Sequence, residues 1–413
     1  MKPFSAPART KGGAIRFGRP QRLLSFPLAC VALLLCTMLL FGCATQPSRT
    51  GKGENSGGVV APTRIVSPVA TQTPPPPIIT LKVINCPGNL SSFDWDNLLG
   101  TRSHVNKVQQ VMCGSLEGSG SLEALINVRY YSADARLDYY VYDNLFGTPT
   151  RTFSMPDLLD GDAQISAVGS IVTAEVGSGD SLKGRPDVFR EYQWQNGAFV
   201  QVLFPGIFPD MTHYQAEQDQ AQLNADLAAG IKSNNWKATL YGPAQHLAKD
   251  IFHWTQIDTH AVTVSNHDGV YIVAITNLGP GGGGFDARMY HLDYNLTNIY
   301  EITQVTSIDG NVSINAPGAA TEVSSPVTVS GSTLASGSIL GKVIVYSDIY
   351  ITVGDTGDIH SPAPSGYVSF TKPVTYQLNA PGMQEGAIAF YDTNQNNTNA
   401  INQVILIKVF LKA

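Results

Sequence analysis

The chain ends in VILIKVFL, residues 404–411, an apolar run interrupted by a single lysine. Short runs that are rich in β-branched residues and separated by turn residues predict buried strands. Seven or eight strands in roughly 100 residues predict an immunoglobulin-like β-sandwich, here over residues 309–413 and without the cysteines and tryptophan of antibody domains. The other predicted strands of this region are Val312–Ala316, Pro326–Gly331, Lys342–Tyr346, Tyr350–Val353, Tyr367–Phe370, Val374–Leu378 and Ala387–Tyr391.

The segment before this sandwich changes its hydrophobic period, which predicts an α+β domain over residues 206–307. Leu223, Leu227 and Ile231 follow at helical spacing within a polar run, and Asp210 or Thr212 could cap that helix. A second helical stripe contains Leu240, Leu247, Ile251 and Trp254, with a break expected at Gly242-Pro243. Antiparallel strands are predicted after the helices, at Ala261–Ser265, Gly269–Thr276, Met289–Tyr294 and Ile299–Thr306.

Residues 78–205 predict a β-rich domain. Leu122–Val128 and Leu137–Tyr142 are apolar runs between polar turns, and Phe189–Leu203 predicts two strands around Asn196-Gly197. Asn-Gly suits a type I′ hairpin turn because both central residues need a positive φ. The chain as a whole is therefore expected to be mainly β and multi-domain, with one α+β segment.

The five cysteines divide by position. Cys30 and Cys36 lie in the N-terminal leader, Cys43 follows it, and only Cys86 and Cys113 fall in the body of the protein. In an oxidising compartment such a pair predicts a disulfide, and two free buried thiols are the alternative. Two cysteines cannot supply the four ligands of a structural zinc site.

Residues 1–42 have the three parts of an export signal. Six basic residues and no acidic residue precede an apolar run over 23–42, which ends in Leu40-Phe41-Gly42 directly before Cys43. This arrangement resembles a bacterial lipoprotein signal, and the resemblance implies cleavage before Cys43 and lipidation of that cysteine. An uncleaved membrane anchor or plain secretion is the alternative, since 20 apolar residues could span a bilayer.

Residues 43–77 predict a disordered linker, because a segment rich in Pro, Gly, Ser and Thr cannot bury enough apolar surface to fold. Without residues 1–42 the chain holds 20 basic against 32 acidic residues, a net charge of −12. That balance argues against a nucleic-acid partner, whose phosphates are bound by Lys and Arg. We expect a protein on the extracytoplasmic face of the cell membrane or outer membrane, attached through its N-terminal lipid.

The C-terminal region also resembles the bacterial spore germination immunoglobulin-like domain. The resemblance rests on INAP at 314–317, SPVTVSG at 325–331, GAIAFYD at 386–392 and the closing strand Val404–Leu411. Members of this family usually have an acidic and an aromatic residue after the second motif, whereas this chain has Ser338-Ile339-Leu340-Gly341 there. The family occurs on exported and lipid-anchored proteins and has no catalytic residues attributed to it, so the resemblance implies a non-catalytic module.

Several other clusters invite a functional interpretation, and each has a plainer alternative. Calcium could bind either loop aspartates or the oxygen-rich segment 392–397, but no complete calcium loop occurs and ordinary polar turns explain both. The glycine run 279–284 lies between two predicted strands, so it predicts a flexible hairpin loop and not a phosphate loop. Four histidines recur every seven residues, too far apart on a helix to share one metal. The aspartates in question are Asp160, Asp162, Asp180 and Asp187, and the histidines are His246, His253, His260 and His267.

No catalytic motif is recognisable. The sequence contains no Gly-x-Ser-x-Gly elbow, no His-Glu-x-x-His and no Walker loop, so we expect no cofactor, no metal and no catalytic residues. We therefore expect a non-catalytic binding or structural role at the cell envelope, with a protein or glycan as partner. The alternative is a glycan-acting hydrolase with an immunoglobulin-like accessory domain, since a carboxylate pair such as Asp94 and Asp96 would suffice.

Overall fold

The computed structural model describes residues 79–177, 185–231, 235–265, 270–279, 282–291, 299–394 and 397–413. The predicted leader, Cys43 and the predicted linker lie outside these residues. The described chain is mainly β, as the sequence predicts, with its strands arranged in four sheets.

Two of the sheets face each other in the N-terminal part. The first has the order β1-β2-β3-β4-β5, and the second has the order β6-β7-β8-β9. The five strands of the first sheet are β1 (Lys82–Ile84), β2 (Asn106–Gly114), β3 (Glu123–Tyr130), β4 (Leu137–Asp143) and β5 (Thr150–Leu158). The four strands of the second sheet are β6 (Asp162–Ile165), β7 (Ile171–Glu175), β8 (Val188–Gln195) and β9 (Ala198–Val202).

The core of this sandwich explains why its central strands are apolar on both faces. Leu125, Tyr139 and Ile171 are buried between the two sheets, while the neighbouring Ile126 points to the outer side of the first sheet. There it is covered by two short helices, α1 (Gly88–Ser91) and α2 (Trp95–Leu99). A strand covered on both faces needs no polar alternation, which is why β3 is buried along most of its length.

The hairpin prediction is confirmed. Strands β8 and β9 are joined at Asn196-Gly197, and the two turn residues have φ of 53° and 87°. Both values lie in the left-handed region that a type I′ turn requires.

The first predicted helix forms as α3 (His213–Ala228). Thr212 caps it, because its hydroxyl accepts a hydrogen bond from the Gln215 backbone while the Gln215 side chain binds the Thr212 backbone in return. Leu223 is buried, but Leu227 is 61% exposed and lies at the last turn of the helix, which packs through its N-terminal part.

The second predicted helix is broken into short turns. A 3₁₀ turn (Trp236–Ala238), α4 (Gly242–His246) and a π-helical turn (Leu247–Ile251) follow one another. Gly242 is required where the turns meet, since a Cβ there would lie 1.8 Å from the Trp236 carbonyl oxygen. Leu247 and Trp254 are core residues, as their spacing predicts.

The largest sheet combines strands from residues 257–307 with strands from the C-terminal region. Its order is β10-β11-β12-β13-β22-β21-β17-β18, with β15 beside β22 and β19 beside β17. The strands are β10 (Ile257–Ser265), β11 (Val270–Asn277), β12 (Gly284–His291), β13 (Tyr300–Ser307), β15 (Glu322–Ser324), β17 (Ile339–Ser347), β18 (Thr352–Asp355), β19 (Ile359–His360), β21 (Met383–Asn394) and β22 (Asn397–Lys412). Val305 of β13 pairs with Leu406 of β22, so one sheet continues across the predicted boundary between residues 307 and 309.

The fourth sheet closes the C-terminal sandwich. It consists of β14 (Val312–Ala316), β16 (Val327–Ala335) and β20 (Gly366–Val374), in the order β14-β16-β20. Val329 and Phe370 from this sheet pack against Val345, Phe390 and Val409 of the large sheet. The opposite face of the large sheet packs on Leu247, Phe252 and Trp254.

Candidate functional site

The disulfide lies where the described chain begins. Cys86 and Cys113 are bonded, as predicted, with their Cα atoms 4.9 Å apart. β1 runs parallel to β2 over three residues only, with Ile84 opposite Met112. So short a parallel ladder is weak by itself, and the disulfide just beyond its end fixes the first strand to the sheet.

A cleft of about 530 Å³ opens beside this disulfide, lined by residues 84–85, 112–115 and 165–169. Ile84, Met112, Ile165 and the 56%-exposed Val168 form its apolar part. The cleft lies at the end of the first sandwich, where the turn between β6 and β7 approaches the last residues of β2. It contains no ionisable side chain.

A cluster of buried ionisable groups lies elsewhere, where residues 187–217 contact residues 348–408. We call this contact the seam. At its centre Lys408 is 5% exposed, and its ammonium donates to Glu385 Oε2 at 2.8 Å, to the Gly206 carbonyl at 2.7 Å and to the Met211 carbonyl. Three acceptors match the three N–H groups of a charged lysine, so Lys408 is a satisfied ammonium.

Glu385 is the counter-ion of this lysine. It is 1% exposed and also accepts the backbone N–H of Phe204 at 3.2 Å. Burial raises the pKa of Glu385 to about 7, although Lys408 lowers it. The pair stands diagonally on neighbouring strands, since Lys408 is opposite Ala387.

Further polar contacts continue the seam on both sides. Asp348 accepts the backbone N–H of Phe189 at 3.2 Å, and its carbonyl accepts from the Gln215 side chain at 3.3 Å. Arg190 donates to the carbonyls of Pro381 and Met383 at 2.8 and 3.3 Å. In each case a side chain on one side of the seam satisfies a main-chain group on the other side.

Helix α3 is attached through His213, which is 2% exposed. Its Nδ1 lies 3.1 Å from Glu191 Oε1, and its Nε2 lies 3.4 Å from Glu217 Oε1. Burial alone would lower the pKa of His213, but the two carboxylates raise it to about 9. His213 is therefore an imidazolium at neutral pH, stacked on Phe204.

Two buried carboxyl groups, Asp210 and Glu301, lie close together beside β13. Glu301 is fully buried and accepts the backbone N–H of Asp210 at 3.3 Å, while Lys237 Nζ lies 3.1 Å from Asp210 Oδ1. Burial and the Asp210 charge hold the pKa of Glu301 well above its usual value. Burial also raises the pKa of Asp210, although Lys237 lowers it, and the contact between Glu301 and the Asp210 backbone fixes the segment before α3 to β13.

The residues singled out in the sequence are dispersed. Cys43, Asp180, His267 and residues 395–396 lie outside the described parts of the chain. Asp94 caps α2, and Asp96 accepts from Thr101 and the Val108 backbone. Asp162 accepts from Tyr214, whereas the buried Asp187 accepts from the Gly177 backbone and Asn379. Among the described residues, no group of three or more His, Cys, Asp or Glu is arranged to hold a metal ion.

Sequence reasoning missed the seam. One signal was present, because Lys408 is the only charged residue in an otherwise apolar strand run, and an isolated charge there needs a buried partner. The groups that bind Lys408 could not be identified from the sequence, since two of its acceptors are the main-chain carbonyls of Gly206 and Met211, about 200 residues away.

Comparison with known proteins adds no family to this description: no family model matches the chain, and a search of the curated proteins finds no match either. Within the described residues, no helix is both long enough and apolar enough to cross a membrane.

Proposed function

We propose that the protein is an exported, lipid-anchored component of the cell envelope with a non-catalytic binding or structural role. The observation that carries the proposal is the Cys86–Cys113 disulfide at the first strand of the folded body. Disulfides persist in oxidising compartments outside the cytoplasm, in agreement with a basic, apolar leader that ends at Cys43.

The contacts of the buried ionisable groups whose pKa values are shifted support a structural role for these groups. Lys408, Glu385 and Asp348 are buried and hydrogen-bonded to main-chain groups of a neighbouring segment, so these contacts hold the two parts of the protein together. A catalytic acid or base must instead reach a substrate. The protein would present two joined sandwiches at the envelope, as a rigid binding or spacer unit.

The resemblance to the spore germination immunoglobulin-like domain supports the same role. The motifs at 314–317 and 325–331 lie in and beside β14 and β16 of the C-terminal sandwich. If the resemblance holds for function, this sandwich is the module that contacts an envelope protein or glycan, while the N-terminal lipid attaches the protein to the membrane.

The anchor is tested by producing the full chain in a bacterium and measuring the N-terminal mass and the membrane-bound fraction. We expect membrane association and an N-terminal, diacylated Cys43, whereas Cys43→Ser should lose both the lipid and the cleavage and should retain residues 1–42. Cys36→Ser, which alters a cysteine inside the leader, is the matched control and should change neither. A mature protein that retains Met1, or one that fractionates with the cytosol, would contradict the proposal.

A further inference from the structure

The outer face of the sheet β14-β16-β20 has an unusual composition. Its outward side chains are mostly short hydroxyl residues, with Pro373 opposite Thr328 at one end and with Leu334 and Tyr367 at the other. Of all residues in these three strands, which lie wholly in the described chain, only Lys372 is charged, and it is in register with the buried Val329. We call this surface the hydroxyl face. Its hydroxyl residues are Ser313, Thr328, Ser330, Ser332, Ser369 and Thr371.

The register places these groups in a regular array. Ser330 stands opposite Thr371, and Ser332 opposite Ser369. Same-face residues repeat about every 7 Å along a strand, and neighbouring strands are about 4.8 Å apart. Among the described residues, the side-chain hydroxyls of Thr328, Ser330, Ser369 and Thr371 have no hydrogen-bond partner, although their backbones pair in the sheet. These hydroxyls are therefore available to a ligand both as donors and as acceptors.

An exposed aromatic ring stands at the end of the array. Tyr367 is 67% exposed and lies opposite Leu334. Its hydroxyl donates to Asn311 Oδ1 at 2.8 Å, and the Leu334 backbone N–H donates to the Asn311 carbonyl at 3.1 Å. The ring is therefore held in one orientation while most of its surface remains in solvent, as a stacking platform requires.

The charges favour one class of occupant. An anionic polymer would meet no cation on the face, and residues 43–413 together carry a net charge of −12 that would repel it. A protein partner normally buries an apolar centre, but the centre of this face consists of serine and threonine. A neutral sugar chain offers hydroxyls that can donate and accept, together with the apolar side of a pyranose ring for Tyr367.

We propose that the hydroxyl face binds a neutral, unbranched polysaccharide, with one sugar ring stacked on Tyr367 and the next residues hydrogen-bonded along β16 and β20. The length from Tyr367 to Pro373 is about 20 Å, enough for a short oligosaccharide. This inference names the ligand class for the binding role proposed above, on which it rests.

The test is affinity electrophoresis of the full chain in gels that contain soluble neutral β-glucan, xylan or mannan, with polygalacturonate as the anionic comparison. We expect retardation by at least one neutral polymer and none by polygalacturonate. Tyr367→Ala should weaken binding by roughly fivefold or more, the usual effect of truncating a central aromatic contact. Phe146→Ala removes an aromatic ring that is 71% exposed elsewhere on the body, and it should have no effect.

A charge on the face gives an independent variant. Thr371→Glu changes an exposed strand position and should weaken binding to the same neutral polymer, whereas Thr150→Glu on β5 should not. No retardation by any neutral polymer, or equal binding by the Tyr367 variant, would overturn the site. So would a dimer that Tyr367→Ala dissociates, because the face would then join two copies of the chain. The Cys43 experiment is independent of these outcomes, so loss of the site and loss of the anchor can be distinguished.

Discussion

Replacement of Lys408 tests the seam most directly. Lys408→Met keeps an unbranched apolar side chain, one atom shorter, but removes the ammonium. Glu385 stays buried, and the carbonyls of Gly206 and Met211 lose their donor. Breaking a buried ion pair by removing one partner costs about 3–5 kcal/mol. We expect a loss of that size in the free energy of unfolding at pH 8.5, measured by urea denaturation with tryptophan fluorescence.

The pH dependence of this loss separates charge from packing. Lys408 lowers the pKa of Glu385, which is about 7 in its presence, so the variant should raise that pKa further. At pH 6 Glu385 would then be protonated, and the penalty should shrink, since one pKa unit corresponds to about 1.4 kcal/mol.

Two further variants complete the experiment. Lys408→Met with Glu385→Gln removes both charges and should recover the part of the loss that the unpaired carboxylate causes, while the two carbonyls remain without their donor. Lys372→Met, at an exposed lysine, should change stability by no more than about 0.5 kcal/mol. If Lys408→Met cost the same at both pH values, or if the double variant were no better than the single one, the ionic account of the seam would be wrong.

Three other outcomes follow from the structure. Replacing Cys86 and Cys113 by serine should lower the free energy of unfolding by about 2–4 kcal/mol, measured by urea denaturation and matched by reduction of the wild type with dithiothreitol; an unchanged midpoint would refute the clamping of β1. Thr212→Ala should cost about 1 kcal/mol through loss of the α3 cap, while Thr212→Ser should cost little; equal losses would point to packing instead. The thermal midpoint should decrease as the pH is raised from 5.5 to 9. Glu385, with a pKa raised to about 7, and His213, with a pKa raised to about 9, hold their protons more tightly in the folded protein. The resulting stability is complete below the unfolded pKa values and is lost as the pH rises through the folded ones. A midpoint that rises over this range would contradict the assignment.

Local features of the fold could be predicted because their cause is local. Asn196-Gly197 specifies its turn through backbone sterics alone, and Thr212 with Gln215 specifies the start of α3 through two reciprocal hydrogen bonds. Alternation and apolar runs likewise predict where most strands lie. The pairing of Val305 with Leu406 depends on contacts between segments about 100 residues apart, and no local pattern encodes it. A division at residue 308 is predicted because seven or eight short strands recur over residues 309–413, although the sheet itself continues through that point.

The candidate sites likewise could be predicted only where they do not depend on contacts between distant segments. The disulfide could be predicted because Cys86 and Cys113 were the only thiols left in the body. The seam could not, because Glu385, Asp348 and Asp210 resemble ordinary surface acids until the fold buries them. The hydroxyl face was hidden for the opposite reason: serine and threonine at alternate positions of β16 are ordinary for a strand. Only the register shows that β20 repeats the pattern beside it.

The seam and the hydroxyl face lie on different sheets of the C-terminal sandwich and differ in their charge. The large sheet carries Lys408 and Glu385 and uses its charges to attach the N-terminal sandwich, where burial makes each unpaired group costly. The sheet β14-β16-β20 is on the other side of the core and carries no such attachment among the described residues. A face that must stay soluble is usually rich in charge, yet this one has none, so its solubility rests on hydroxyls. Retaining hydroxyls while excluding charge is what a neutral, hydrated ligand requires, and this contrast within one sandwich is the physical reason to seek the partner there.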